Sequence, residues 1–146
     1  MNISGHRWFK AGAITLILFG SVHLLAVYKS LCTTPTDLQE IRLNEALRAF
    51  KMELGPFHPT AWHTLNILNA SYSALLLYVG IMNLIALGPV AAAGSLRTLT
   101  LVNILFTTIL FTICLALQFP PPMVFALACM VFFAVSYVKQ KTPTHK

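Results

Sequence analysis

"AWHTLNILNASYSALLLYVGIMNLIAL", Ala61 to Leu87, runs for 27 residues without an Asp, Glu, Lys or Arg. One such charge costs about 2.5–3.5 kcal/mol at the centre of an inserted helix, and roughly 20 apolar helical residues cross the hydrocarbon layer. The stretch therefore reads as a membrane-spanning helix, entered through the polar "GPFHPT" of Gly55 to Thr60. Its polar residues are not scattered. On a helical wheel Trp62, Asn66, Asn69, Ser73 and Gly80 fall within an arc of about 60°. An unpaired amide in hydrocarbon costs several kcal/mol, so this stripe is expected to face protein or water.

Three further uncharged runs flank it: Ala11 to Tyr28, Thr98 to Leu117 and Pro121 to Val138. Of the 146 residues 57% are hydrophobic and 10% charged, with a mean hydropathy of +0.74, too little polar surface for a water-soluble domain. The expected fold is all-α: one integral membrane domain over residues 1–146, a four-helix bundle with spans at about 11–28, 61–87, 98–117 and 121–138. Pro121 and Pro122 suit the first turn of the last span, where a missing N–H is harmless. Arg7 and Lys10 precede the first run as in a secretory signal, but no small-x-small site follows in "LLAVYKSLC", so a retained span is expected.

Four spans put both termini on one side, with Arg7, Lys10, Arg97, Lys139, Lys141 and Lys146 and no acid. The other side holds Lys29, Arg42, Arg48 and Lys51 together with Asp37, Glu40, Glu45 and Glu53. Six basic residues against four make the first side cytoplasmic. The net charge of +6 is split between flanks of apolar spans, which suits anionic lipid and argues against nucleic acid as a partner.

The segment between the first two spans, "TDLQEIRLNEALRAFKMELG", predicts an amphipathic helix over about 37–54, opening at Thr36 with Gln39 three residues on and stopping at Gly55. Leu38, Ile41, Leu43, Ala46, Leu47, Phe50 and Leu54 would form its apolar face. Such a helix shields span ends or covers a pocket. Cys32, Cys114 and Cys129 make no C-x-x-C, and no disulfide-exchange role follows.

Gly12, Gly20 and His23 share one side of the first span, and Thr100, Asn103, Thr107 and Cys114 form a stripe on the third. Small and hydroxyl residues of this kind bring helices close together and hydrogen-bond between them. His23 lies about five residues inside the outer end of its span, at a depth near that of His63, Asn66 and Asn69, with Gln118 entering from the third span. An ionisable side chain inside a membrane is a functional-site hypothesis by default. The candidate ligand-binding set is His23, Trp62, His63, Asn66, Asn69 and Gln118.

No catalytic constellation accompanies it, since all four acids lie on the loop and no phosphate-binding glycine motif or nucleophile elbow occurs. Haem ligation would use His23 and His63, but no second pair and no carboxylate lies within a span, so no metal or cofactor is expected. The leading reading is a non-enzymatic membrane protein that binds a lipid-like molecule, a partner membrane protein or its own copies. The alternative is a membrane enzyme or redox carrier using His23 and His63 with a haem, quinone or sterol-like ligand. A transporter is disfavoured by the absence of intramembrane charge and of an inverted repeat.

With "LFGSVHLL" closing the first span, "MELG" ending the loop, "SALLLYVGIMNL" in the second span and "FPPPMVFALACMVFFAVSYV" at the last, the chain resembles small bacterial four-span membrane proteins in the broad DoxX-like neighbourhood. The likeness extends over nearly the whole chain as a pattern. It implies an inner-membrane four-helix bundle and supplies neither activity nor substrate. Where that family opens its second span with Trp-Asp, this chain has Trp62-His63, so ion or proton chemistry resting on the acid does not carry over.

Overall fold

The computed structural model describes residues 3–92, 95–118 and 120–141. Five helices follow one another: α1 (Ile3–Cys32), α2 (Leu38–Ala49), α3 (Ala61–Ala92), α4 (Leu96–Ala116) and α5 (Pro120–Lys141). Four are long and apolar enough to cross a membrane, over Gly5–Cys32, Ala61–Gly88, Leu96–Ala116 and Pro120–Gln140. The first and last reach past the uncharged runs that predicted them, because Arg7, Lys10, Lys29 and Lys139 continue the helix. Pro120, Pro121 and Pro122 fill the first turn of α5, as a start without backbone donors allows.

The loop helix is shorter than expected at both ends. Asp37, not Thr36, is its N-cap: the backbone there is extended (φ −79°, ψ 132°) and the Asp37 carboxylate accepts from the Gln39 N–H at 3.4 Å. The helix then ends at Ala49 rather than near Gly55, with the Phe50 N–H closing on the Ala46 carbonyl at 3.0 Å. From Phe50 to Ala61 the sequence changes to a period of two, with Phe50, Met52, Leu54, Phe57, Pro59 and Ala61 alternating with Lys51, Glu53, His58 and Thr60. That pattern folds back on itself as a small hairpin. Leu54 and Phe57 exchange backbone hydrogen bonds of 3.0 and 3.1 Å around Gly55-Pro56, Met52 N–H donates to Pro59 at 2.9 Å, and Ala61 N–H to Phe50 at 2.9 Å. Gly55 has φ +61°, the conformation a two-residue turn wants at its first central position, and proline suits the second. No residue of α2 is buried, and Ile41, Asn44 and Leu47 form its half-covered line.

The chain divides into two compact units, one of residues 1–19 and 76–146, the other of Gly20–Leu75. In the first, α4 packs along α5, and α1 runs antiparallel to α5: Phe9 meets Phe133 edge-on at 5.4 Å and Phe19 stacks on Phe125 at 4.8 Å. The Ser136 hydroxyl donates to the Gly5 carbonyl at 2.7 Å, and the Gln140 amide donates to Thr100 Oγ1 at 3.0 Å and Ser136 Oγ at 2.9 Å. The expected stripe on α4 is buried at all four positions, Thr100, Asn103, Thr107 and Cys114. Thr100 and Thr107 return their hydroxyl protons to the carbonyls four residues back, so they fill space without an unmet donor. Asn103 does more, pairing with Asn83 of α3 through two amide hydrogen bonds of 2.7 and 3.0 Å.

Gln118 ends α4 in the left-handed region, φ 50°, the stop that glycine supplies at lower cost. Gln118→Gly should raise the unfolding free energy of detergent-solubilised protein by about 0.5–1 kcal/mol by removing the Cβ penalty. A midpoint in denaturing detergent at or below that of the parent chain would refute this.

Candidate functional site

The second unit contains the C-terminal part of α1, α2, the hairpin and the first half of α3, and most of the polar candidates lie in it. His23 sits on α1 with its Nδ1 2.8 Å from the Ser73 hydroxyl of α3 and its ring edge-on to Tyr72 at 5.2 Å. The Ser73 hydroxyl also reaches the Asn69 carbonyl at 2.9 Å. One proton cannot serve both contacts, so Ser73 donates to the carbonyl and Nδ1–H of His23 donates to Ser73. Nδ1 therefore carries a proton, a position assigned from the network.

A cleft of about 180 Å³ opens beside this pair, lined by His23, Ala26, Val27, Ser30, Asn66 and Asn69. Three of the six expected site residues meet here. Asn66 turns its amide back to the Trp62 carbonyl at 2.8 Å. The Asn69 side chain has no hydrogen-bond partner among the described residues and is exposed along the cleft. An amide at that depth in an apolar span needs a partner from outside the chain.

Trp62 lines a larger cleft of about 380 Å³, walled by the end of α1 (Ser30, Leu31, Cys32), the Thr33–Pro35 link and Ile41, Asn44, Glu45 and Arg48 of α2. Arg48 lies over the Trp62 ring with its guanidinium carbon 4.3 Å from the centroid, a cation–π contact. The hairpin makes this meeting possible: its turn sets Phe50 opposite Ala61, so the last turn of α2 lies beside the first turn of α3. Ser30 belongs to both clefts, which therefore adjoin. Ser30 also lines a third cleft of about 390 Å³ with Ala26, Lys29, Thr33–Thr36 and Glu40.

The other two expected residues do other work. His63 is exposed and completes the cap of α3: its N–H donates to Thr60 Oγ1 at 3.3 Å while the Thr60 hydroxyl lies 2.9 Å from His63 Nδ1. Thr60 thus caps the helix through its hydroxyl, and the His63 ring holds that hydroxyl side chain to side chain. Gln118 belongs to the other unit, where its backbone ends α4. Arg48, Glu45 and Ser30 were missed, since nothing in a linear reading brings a residue of the loop helix beside Trp62. None of these three clefts is lined by both His23 and His63, and among the described residues no three His, Cys, Asp or Glu gather as metal ligands. No family model, curated protein or solved structure matches the chain.

Proposed function

We propose that this is a four-span bundle of the bacterial inner membrane, termini cytoplasmic, that holds a lipid-like molecule in the second unit without catalysing its conversion. The carrying observation is the pair of adjoining clefts at a point where two candidate spans end, α1 at Cys32 and α3 at Ala61. Sites between helices are mostly apolar with a few placed polar groups. Here the polar groups form a series: Arg48, Glu45 and Trp62 at the span ends, then Ser30, then Asn66, Asn69 and His23 deeper along α1 and α3. An amphiphile matches that order, its head at the first group and its backbone esters along the second. Trp62 at a span end also suits the interfacial layer.

The architecture implied by the DoxX-like resemblance is part of this reading. A haem or redox role on both histidines has less support, because His23 is held against Ser73 whereas His63 sits with Thr60 at the start of α3. Native mass spectrometry of the chain released from mild detergent or nanodiscs tests the proposal. A retained lipid mass is expected, and consistent release as the bare polypeptide would overturn it. His23→Leu should still insert, because Ser73 keeps its bond to the Asn69 carbonyl. Losing one buried polar contact should cut lipid retention on the order of tenfold, and undiminished retention would make His23 a packing residue.

A further inference from the structure

We propose that the larger cleft takes a zwitterion made of a phosphate and a primary ammonium, the chemistry of a phosphoethanolamine headgroup. This deepens the lipid-binding reading and rests on it. The anion half is Arg48. Its guanidinium carbon stands 4.3 Å over the Trp62 ring centroid, and among the described residues no carboxylate or hydrogen-bond acceptor engages it. Stacking on a ring leaves the N–H donors at the guanidinium's edge available, and a planar fork of donors fits phosphate oxygens.

The cation half is the end of α1. The last carbonyls of a helix have no intrahelical partner and carry the negative end of its dipole. Thr33 N–H takes the Lys29 carbonyl at 2.9 Å, and among the described residues no backbone donor takes those of Ser30, Leu31 or Cys32. Pro35 in the link has no N–H to give. Ser30, Leu31 and Cys32 line the same cleft as Arg48, and so does Glu45, whose carboxylate has no ion-pair partner among the described residues. One cation and an acceptor-rich wall with a carboxylate therefore share a space of about 380 Å³. A simple anion would meet Glu45 and the helix end as repulsion, and a simple cation would meet Arg48. A molecule carrying both charges satisfies both walls.

The acceptors also select the kind of ammonium. Carbonyl oxygens reward N–H donors, which a primary ammonium has and a trimethylammonium lacks. A trimethylammonium prefers a cage of aromatic faces, and the one aromatic ring lining this cleft, Trp62, already carries Arg48.

The test uses the full chain in a neutral sugar detergent with Trp8→Phe, so that Trp62 is the sole tryptophan. Its fluorescence is titrated with dihexanoyl phosphatidylethanolamine, phosphatidylcholine and phosphatidylglycerol and with free O-phosphoethanolamine. Saturable binding of the ethanolamine lipid is expected, about tenfold or more tighter than the other two lipids. Arg48→Gln should weaken binding of every phosphate-bearing probe, whereas Glu45→Gln should weaken only the ethanolamine forms. Both side chains are exposed and make no ion pair, so far-UV circular dichroism should not change. Equal affinity for phosphatidylglycerol with no effect of Glu45→Gln would overturn the zwitterion and leave the lipid reading standing. Free O-phosphoethanolamine matching the lipid would support the headgroup chemistry and overturn the lipid as its source. Binding of no probe by a helical chain would overturn both readings.

Discussion

Gly80→Val should lower the unfolding free energy by about 3 kcal/mol, the upper part of the range for overpacking. A Cβ at Gly80 would stand 2.6 Å from Ile17 Cγ1, 2.9 Å from the Ala13 carbonyl oxygen and 3.1 Å from the Ile17 backbone nitrogen. None of these is the free end of a flexible side chain. Ile17 is β-branched with a restricted χ1, and two of the three atoms belong to the backbone of α1. Relief therefore requires α1 and α3 to move apart, which strips contacts from the buried Ala13, Leu16 and Leu76. Ile81, exposed on the same helix, is the internal control. Ile81→Val should change stability by less than about 1 kcal/mol, within the scale of helix propensity. Denaturing-detergent titrations of both variants decide the matter, and equal losses would show that the α1–α3 approach is not what Gly80 serves.

Asn83→Leu should cost about 2 kcal/mol, and adding Asn103→Leu to it should cost less than the sum of the single changes. The two amides are 4% and 3% exposed and bond to each other in both directions, while Asn103 also donates to the Leu99 carbonyl at 2.9 Å. Interhelical hydrogen bonds in membrane proteins average only about 0.6 kcal/mol. The larger part of the cost is the Asn103 carbonyl oxygen left buried without a donor, about 1–3 kcal/mol. Replacing both partners removes the orphan as well as the bond. A double-mutant cycle that closes without coupling would mean that the amides act separately.

The helical spans were legible because hydropathy and the 3.6-residue period are local properties. Ser73, Gly80, Thr100, Asn103, Thr107 and Cys114 are buried as their stripes require. The hairpin was missed although its signal was present, since "FKMELGPFHPTA" alternates with a period of two around Gly-Pro. Phe50 and Leu54 also fit a continuing helical face, four residues apart, and so the local pattern reads as helix up to Gly55. Of the ligand set, the residues inside spans, His23, Asn66 and Asn69, do share a cleft. Trp62 lines the neighbouring cleft, whereas the other two members at span ends belong to helix termini: Thr60 caps the His63 N–H, and Gln118 ends α4 with its φ of 50°.

By itself the sequence determined where four apolar helices run and that the second and third turn inward at Ser73, Gly80, Thr100, Asn103, Thr107 and Cys114, since an uncharged run and a polar stripe carry their cost wherever the rest of the chain goes. Which polar group meets which was decided only by tertiary structure. His23 finds Ser73 across 50 positions and Asn83 finds Asn103 across 20, while Arg48 reaches Trp62 because a two-residue turn returns the chain beside α2. A hydrogen bond or a stacked cation depends on distances of a few ångström between elements, and those are set by packing and turns rather than by composition.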